Sequence, residues 1–256
     1  MSPVRRFRAV SLDLWSTCLQ ERPGLDDRLL AARLDFLGEG LRTPGDGRID
    51  RERMEQVMRS VHGQLRAQGK DPIEVDPAAL VERYAEVLRT RPARAFEELG
   101  HDYSAVGFTD DPPEVNPEAE TLIAALEARQ VPVIALTNTA RREESWQEYF
   151  RARTNLRFQH VVTSCEVGCM KPHPLIFAEA AKRLHLEPGA ILHVGDRWDL
   201  DGRGAIDAGF GAVLYTGLWD SYPPDVDPGP GREAAARAGV PCVPRLDSPL
   251  LLDLVT

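Results

Sequence analysis

The segment H-V-G-D-R-W-D-L-D-G-R-G-A-I-D-A-G, residues 193–209, is the most informative stretch of this 256-residue sequence. It begins within an apolar run, residues 190–194, that is typical of a buried strand. Asp196 and Asp201 follow the run closely, and a helix is predicted over residues 205–208. A buried strand that ends in acidic residues and leads into a helix is typical of a parallel α/β sheet.

Three further apolar runs are each followed by polar residues. They are residues 7–12 before Asp13-Leu14-Trp15-Ser16-Thr17, residues 131–136 before Thr137-Asn138, and residues 161–162 before a loop and Lys171-Pro172. Another strand is predicted over residues 212–215, helices over residues 141–150, 174–184 and 249–254, and a loop over residues 222–231. This alternation predicts one parallel sheet covered by helices. Ligands bind beyond the carboxyl ends of such strands, so we expect the polar clusters to meet at one rim.

Residues 18–113 have a helical pattern instead. Apolar residues recur at helical spacing in three segments: Leu29, Leu30, Leu34 and Leu37; Met54, Val57, Met58, Val61 and Leu65; and Leu80, Val81, Tyr84, Val87 and Leu88. Asp76 is a predicted N-cap with Pro77 at the first helical position. We therefore expect an α/β core of residues 1–17 and 114–256 and a mainly helical insert of residues 18–113.

The composition is that of an ordinary globular protein, with a formal net charge of −9 at pH 7. This charge argues against nucleic acid as the main partner, because binding to its backbone needs clustered lysine and arginine. The four cysteines lack zinc-site spacing, and the first residues lack a long apolar run. We expect a cytoplasmic protein without a signal peptide or membrane span, whose oligomeric state is left open.

The polar residues expected at the rim form a set suited to phosphoryl transfer. The Asp13 carboxylate can attack phosphorus and form an aspartyl-phosphate. Lys171 and Thr137 can hold the phosphoryl oxygens. Asp196, together with Asp13, can bind Mg²⁺, a hard cation that prefers carboxylate oxygens.

Four segments resemble the motifs of the haloacid dehalogenase (HAD) superfamily, in the subfamily with a helical cap inserted after the first motif. They are S-L-D-L-W-S-T (11–17), A-L-T-N (135–138), S-C-E-V-G-C-M-K-P-H-P-L-I-F (164–177) and the segment 193–209 quoted above. The resemblance implies a Rossmann-like, doubly wound α/β core with a helical cap, and Mg²⁺ in most members. It implies that Asp13 is the nucleophile and that Lys171 assists it. The implied phosphate or substrate contacts are Thr137, Asn138 and Lys171, and the implied metal-side groups are Asp13, the Trp15 carbonyl, Asp196 and Asp201. Trp15 and Thr17 are further candidate substrate contacts: Trp15 either shapes the substrate space or packs under the cap, and Thr17 either supports the nucleophile loop or caps it.

Trp15 departs from the phosphatase pattern of this family, which has a second aspartate two positions after the nucleophile. That aspartate protonates the leaving oxygen and then activates water, and an indole can do neither. General acid–base catalysis is worth about 10²–10⁴ in rate, so its loss is a serious defect for a phosphatase.

Three interpretations therefore stay open. The first is a Mg²⁺-dependent phosphatase, or related phosphoryl-transfer enzyme, acting on a small phosphorylated metabolite. The second is a metal-free 2-haloacid dehalogenase acting on a halogenated metabolite, in which an aromatic residue at the Trp15 position is expected. The third is a non-catalytic binding protein. Asp196 favours the first, because dehalogenases have a small polar residue there.

Five further residues near the motifs carry smaller expectations. Asp199 is expected to be exposed and is a candidate replacement acid. His173 and His193 are expected to be structural, and Cys18 to be a small buried apolar residue. Lys70 is the one lysine of the predicted insert, and its surroundings resemble an exposed helix end, which disfavours a phosphonatase that forms a Schiff base there. Thr137 has a second role open to it, as a cap of the helix over residues 141–150.

Overall fold

The computed structural model of the chain describes residues 7–20, 24–67, 76–106, 112–218 and 229–255. Lys70 and the side chain of Leu65 lie outside this description, as do residues 222–228 of the predicted loop. Among the described residues, no helix has the length and apolar character needed to cross a membrane.

Strands and helices follow one another in the predicted alternation. The strands are β1 (Ala9–Leu12), β2 (Leu19–Gln20), β3 (Leu41–Arg42), β4 (Arg91–Pro92), β5 (Glu114–Val115), β6 (Val133–Thr137), β7 (Val161–Thr163), β8 (Ile191–Gly195), β9 (Gly211–Tyr215) and β10 (Cys242–Val243). The helices are α1 (Leu25–Gly40), α2 (Arg51–Ala67), α3 (Pro77–Leu88), α4 (Phe96–Ala105), α5 (Pro117–Ala128), α6 (Glu143–Arg153), α7 (Ser164–Val167), α8 (Pro174–Leu184), α9 (Arg203–Asp207), α10 (Gly229–Arg237) and α11 (Pro249–Asp253). A 3₁₀ turn (Pro188–Ala190) precedes β8, and a π-helical turn (Trp198–Gly202) precedes α9.

Six strands form one parallel sheet in the order β10-β9-β8-β1-β6-β7. The strand order grows outward from β1 in both directions, which is the doubly wound arrangement. The register places Ser11 opposite His193, and Leu12 opposite both Ala135 and Val194. The predicted α/β class is confirmed.

Successive residues of a strand point to opposite faces of the sheet, and both faces are buried here. Val10 and Leu12 belong to a cluster that includes residues of α5, α6 and α11. Ala9 belongs to a different cluster, packed with α8 and α9. Strands buried on both faces need apolar residues throughout, which explains the continuous apolar runs of the sequence.

Helices α1–α4, which we call the helical region, enclose a hydrophobic cluster of their own. Its buried members all come from residues 34–103, and Leu37, Met54 and Tyr84 are among them. The chain passes between the sheet and this region through β2 and β5, which pair in antiparallel fashion. Most of the apolar residues that predicted helices here therefore face this core, whereas Val87 is an exception with an exposed fraction of 43%.

Helix α3 begins as predicted and packs closely on α4. The Asp76 carboxylate accepts a hydrogen bond from the N–H of Ala78 at 2.8 Å, and Pro77 occupies the first turn. A Cβ built on Gly100 of α4 would lie 2.3 Å from the backbone nitrogen of Ala78. The absence of a side chain at residue 100 is what lets the two backbones approach.

Several predicted boundaries are wrong by a few residues. The first strand begins at Ala9, because Phe7 forms an isolated bridge with Val255 instead. The strand predicted from residue 190 begins at Ile191, because Ala190 ends the 3₁₀ turn. The helix predicted over residues 141–150 is α6, which begins two residues later, at Glu143.

Two predictions about caps and loops are also wrong. Thr137 does not cap α6, because it is the last residue of β6 and Arg142 occupies the N-cap position. Residues 229–231 of the predicted loop form the start of α10. A proline is tolerated in the first helical turn, so Pro230 does not prevent a helix there.

Candidate active site

The polar clusters that follow β1, β6 and β8 and the loop after β7 meet at one rim of the sheet. They line a cavity of about 280 Å³. Its lining residues are Asp13, Trp15, Ser16, Thr137, Asn138, Lys171, Asp196, Arg197, Leu200 and Asp201. The expected convergence at the carboxyl ends of the strands is thus present in the structure.

Lys171 joins two carboxylates at the base of the cavity. Its Nζ donates to Oδ1 of Asp13 and to Oδ1 of Asp201, each at 2.6 Å. All three side chains are buried, with exposed fractions of 7% for Asp13, 3% for Lys171 and 1% for Asp201. A buried ammonium between two buried carboxylates fixes the direction of all three side chains.

Asn138 holds the Lys171 segment in place. Its Oδ1 accepts from the backbone N–H of Lys171 at 2.7 Å, and its Nδ2 donates to the Lys171 carbonyl at 3.2 Å. The side chain therefore links the end of β6 to the loop that carries the lysine. This positioning contact was not part of the sequence prediction, which gave Asn138 a phosphate or substrate contact.

Asp201 is held by three donors. Besides Lys171, its Oδ1 accepts from Nε2 of His193 at 3.1 Å, and its Oδ2 accepts from the backbone N–H of Arg197 at 2.9 Å. A Cβ on Gly195 would lie 2.3 Å from Cγ of Asp201. Glycine at residue 195 is thus required for the Asp201 carboxylate to reach the cavity.

Burial and neighbouring charge shift the pKa values of these groups in different directions. Burial raises the pKa of Asp13, and Lys171 opposes that shift. Burial, with the charges of Asp13 and Asp201, raises the pKa of Asp196 well above its usual range. Burial would also raise the pKa of Asp201, but the Lys171 charge and the His193 hydrogen bond outweigh it and lower that pKa. Burial would lower the pKa of Lys171, but the charges of Asp13 and Asp201 outweigh it and raise that pKa.

The carboxylates of Asp13, Asp196 and Asp201 also fit a metal ion. One oxygen from each lies within 4.8 Å of the others. In their ionised forms, these groups and Lys171 carry a formal net charge of −2. A divalent cation balances that charge and favours the ionised carboxylates. The donor set is the oxygen set that Mg²⁺ prefers.

Thr137 presents a hydroxyl at the cavity. The residue is fully buried, and its Oγ1 has no hydrogen-bond partner among the described residues. A buried hydroxyl without a partner costs free energy, which a bound acceptor would recover. The orphaned hydroxyl is consistent with the predicted contact to an anionic ligand.

The loop after Asp13 places its residues differently from the prediction. The Trp15 indole is half-buried, lines the cavity and packs edge-on against Trp146, with ring centroids 5.7 Å apart. Ser16 also lines the cavity and has a left-handed φ of 56°. Thr17 is fully buried and is not a lining residue; its carbonyl accepts from Nδ2 of Asn116 at 2.9 Å. The predicted substrate contact of Thr17 therefore has no support in the geometry.

A sequence profile of the haloacid dehalogenase-like hydrolase family matches residues 7–209, which span all four motifs and the helical region. The chain belongs to this family. The family membership inferred from the four motifs is confirmed, and Asp13, Thr137, Lys171 and Asp196 of this HAD-like hydrolase lie together as the motifs implied.

One curated relative is similar over a short stretch. The HAD-like hydrolase is 44% identical over 70 residues to the glyceraldehyde 3-phosphate phosphatase of Methanopyrus kandleri, a match that covers 27% of this chain and 30% of that protein. The chain spans about a third of the length of the curated relatives it matches.

Two solved structures share the fold over nearly the whole chain. The 2-haloacid dehalogenase from Pseudomonas syringae pv. Tomato DC3000 has a TM-score of 0.58 at 18% identity, covering 96% of this chain and 98% of that chain. The HAD phosphatase from Thermococcus onnurineus has a TM-score of 0.54 at 21% identity, covering 92% and 100%. The fold is thus shared with both enzyme classes and does not choose between them.

Three cavity residues of the HAD-like hydrolase were missing from the sequence prediction: Ser16, Arg197 and Leu200. Arg197 immediately precedes the π-helical turn and Leu200 lies within it, and no element was predicted over these residues. Asp199, the candidate replacement acid, forms an ion pair with Arg197 at 2.8 Å and is not a lining residue. Nothing in the sequence signalled this local geometry.

The remaining expectations concern residues around the cavity. His173 is structural, as expected: its Nδ1 accepts from the N–H of Leu175 at the start of α8. Cys18 is fully buried in the hydrophobic core, also as expected. His193 is buried too, but it contacts Asp201 directly.

Proposed function

We propose that this HAD-like hydrolase is a phosphatase that acts on a small phosphorylated metabolite through Asp13. The observation that carries the proposal is the buried cluster of Asp13, Asp196 and Asp201, whose formal charge Lys171 offsets only in part. A site with this charge is suited to a divalent cation. Such a cation is useful to an enzyme whose nucleophile and substrate are both anionic.

Asp13 is the nucleophile in the proposed reaction. Since its Oδ1 accepts from Lys171, we assign the attack to Oδ2. A bond forms between Oδ2 and phosphorus while the bond from phosphorus to the ester oxygen breaks, and that oxygen leaves with the electron pair. Water then hydrolyses the acyl phosphate, which restores the carboxylate and releases inorganic phosphate. The Thr137 hydroxyl donates a hydrogen bond to a phosphoryl oxygen.

Asp13, Asp196 and the backbone carbonyl of Trp15 would hold Mg²⁺, with Asp201 on the metal side. When bound, the ion offsets the repulsion between the carboxylate nucleophile and the phosphate. Asp201 has both oxygens engaged by Lys171, His193 and the Arg197 N–H. We therefore assign it mainly to holding Lys171.

The atypical first motif sets the preferred leaving group. An indole at residue 15 cannot protonate the departing oxygen, so we propose that good substrates release a stable anion, or supply the proton themselves. The half-buried Trp15 ring forms part of the cavity wall beside the reacting centre. Its second role is to shape the space for the organic part of the substrate.

We propose that the segment of residues 18–113 is a cap domain over a core of residues 1–17 and 114–256, as in the helical-cap subfamily. The separate hydrophobic cluster of the helical region supports this division. Arg142 pairs with Asp76, and Nη1 of Arg141 donates to the Ser104 carbonyl at 2.8 Å, so the loop after β6 contacts both α3 and α4. Closure of a cap excludes water and selects the substrate.

A 2-haloacid dehalogenase is the second candidate. Trp15 favours it, because an aromatic residue lines the cavity where phosphatases of the family have an acid. In that reaction Asp13 attacks carbon and expels halide, a step that needs neither a metal nor a proton donor. The buried Asp196 is harder to explain in this reaction than in the first.

The experiment that tests the proposal compares two substrates in two conditions. Release of nitrophenolate from p-nitrophenyl phosphate and of chloride from L-2-chloropropionate is measured with Mg²⁺ and with EDTA, using Asp13→Asn as the control. We expect Mg²⁺-dependent phosphate hydrolysis that disappears in the variant. Chloride release that resists EDTA would establish the dehalogenase instead. Silence in both assays, and with a panel of metabolite phosphates, would favour a binding protein.

A further inference from the structure

A continuous chain of hydrogen bonds leads from strand β1 back to the nucleophile. Ser11 Oγ contacts Nδ1 of His193 at 3.0 Å, and Nε2 of His193 contacts Oδ1 of Asp201 at 3.1 Å. Asp201 in turn accepts from Lys171, which donates to Asp13, each at 2.6 Å. The chain therefore starts two residues before Asp13 on the same strand and returns to it.

The strand register creates the first of these contacts. Ser11 of β1 and His193 of β8 are direct partners in the parallel sheet. Asp201, a carboxylate, can only accept, so Nε2 of His193 is the donor in that bond. When Nδ1 is the unprotonated nitrogen of the ring, it accepts from the Ser11 hydroxyl, which sets the orientation of the imidazole.

The imidazole of His193 is enclosed by its neighbours. The residue is 1% exposed, and its ring meets the edge of Phe177 with centroids 5.4 Å apart and an interplanar angle of 88°. The second oxygen of Asp201 is fixed independently by the backbone N–H of Arg197. Two donors on different oxygens determine the plane of the Asp201 carboxylate, and that plane determines where Lys171 can lie.

We infer that His193 is a positioning residue for the nucleophile, acting through Asp201 and Lys171. Its imidazole does not reach the cavity lining, so it does not contact the substrate. Its role is to hold the Asp201 carboxylate so that the Lys171 ammonium is aimed at Oδ1 of Asp13. The effect on turnover rests on the proposed function, whereas the effect on Lys171 does not.

Three substitutions separate this role from simple packing. His193→Gln places an amide N–H near the position of Nε2 and keeps the bond to Asp201. His193→Asn reaches only the position of Nδ1, towards Ser11, and His193→Phe keeps the ring shape without either bond. We expect kcat for p-nitrophenyl phosphate to fall by about 10–100-fold in the Asn and Phe variants, with KM little changed, and to stay near wild type in the Gln variant.

Thermal unfolding of each variant is measured beside its kinetics. A higher kcat in His193→Gln than in His193→Asn, with similar melting temperatures for the two variants, supports a positioning role. Loss of kcat that follows melting temperature across all three variants would overturn it, because only stability would then be involved. Unchanged kcat in all three variants would overturn it as well.

A second measurement does not depend on any substrate. The protein is labelled with ¹⁵N-lysine, and the Lys171 ammonium signal is identified by its loss in Lys171→Met. We expect this buried ammonium to give a solvent-protected signal in the wild type and in His193→Gln, and to be lost through exchange in His193→Phe. A protected signal in the Phe variant would overturn the inference even if the protein were not a phosphatase. Lack of phosphatase activity in the wild type, with the expected signals, would overturn the proposed function alone.

Discussion

The two sides of the candidate active-site cavity are built differently. The locked side consists of Asp13, Lys171 and Asp201, and the open side consists of Trp15, Arg197 and Leu200. The Lys171 side chain is 2% exposed and joined to two carboxylates, whereas the Arg197 side chain is 48% exposed and pairs with an exposed aspartate. Groups on the locked side are held by strand ends and buried bonds, which suits them to a fixed chemical step. Groups on the open side lie on a loop and a π-helical turn, where a substitution can alter substrate choice without moving the nucleophile.

Removing the proposed nucleophile should give the largest effect. In Asp13→Asn, the residue keeps its shape but loses the anionic oxygen to which we assign the attack on phosphorus. We expect kcat to fall by roughly 10³-fold or more, as is usual when a covalent nucleophile is lost. Steady-state hydrolysis of p-nitrophenyl phosphate measures it, and a circular dichroism spectrum verifies that the variant is folded. Substantial residual turnover would mean that another group attacks phosphorus.

Breaking the buried ion pair of the locked side should reduce stability. Lys171→Met leaves the carboxylates of Asp13 and Asp201 buried without their ammonium, which typically costs about 3–5 kcal/mol in the free energy of unfolding. Lys182→Met is the matched control, because Lys182 pairs with Glu179 and its side chain is 77% exposed. A pair of that kind is worth about 1 kcal/mol or less.

Urea denaturation in the presence of EDTA gives both values. Equal, small losses in the two lysine variants would show that the locked side does not depend on its ammonium. The comparison between the two sides of the cavity would then need another explanation, such as packing of the loop after β7.

Restoring an acid on the open side should increase activity. Trp15→Asp supplies a carboxyl group that can protonate the leaving oxygen, and Trp15→Asn is the control of the same size that cannot. We expect Trp15→Asp to exceed Trp15→Asn by about 10²-fold on alkyl phosphates, whose leaving groups need a proton. The difference should be much smaller on p-nitrophenyl phosphate. Equal rates for the two variants on alkyl phosphates would mean that residue 15 is not placed to act as the acid.

Neutralising Arg197 should give the smallest effect. Arg197→Gln removes a half-exposed charge at the cavity, so we expect KM for an anionic substrate to rise by only a few fold, and the rise to shrink at high salt. Arg203→Gln is the control, because Arg203 pairs with Asp207 and does not line the cavity. A large fall in kcat for Arg197→Gln would mean that this residue contributes to the chemical step, like the groups of the locked side.

The sequence was most informative about the locked side. Asp13, Lys171 and Asp201 could be predicted because each follows an apolar run of the sequence, and the ends of parallel strands must meet at one rim. The fold could also be predicted, because the continuous apolar runs of strands buried on both faces are distinctive. Trp15 was recognised as a departure because the phosphatase pattern of the family has an aspartate two positions after the nucleophile.

The open side was poorly predicted, because it depends on backbone torsions that the sequence does not signal. Thr17 was expected at the cavity, but Ser16 lines it, and Ser16 adopts a left-handed φ without being a glycine. Arg197 and Leu200 line the cavity beside and within a π-helical turn, which the sequence analysis did not predict. His193 was expected to be structural, and its contact with Ser11 was not predicted. Contacts across strands depend on a register that residue spacing does not reveal.

The short ladder between β2 and β5 has a consequence for the evolution and engineering of the molecule. Leu19 is opposite Val115 and Gln20 is opposite Glu114, so the intervening chain leaves and rejoins the core at one point. Among the residues that the structure describes, none of that intervening segment pairs with the six-stranded sheet. Because the entropy of closing a loop grows slowly with its length, segments of very different size can occupy this point at similar cost. We therefore expect that a segment of different size could replace the helical region at this ladder and leave the sheet and its cavity residues unchanged.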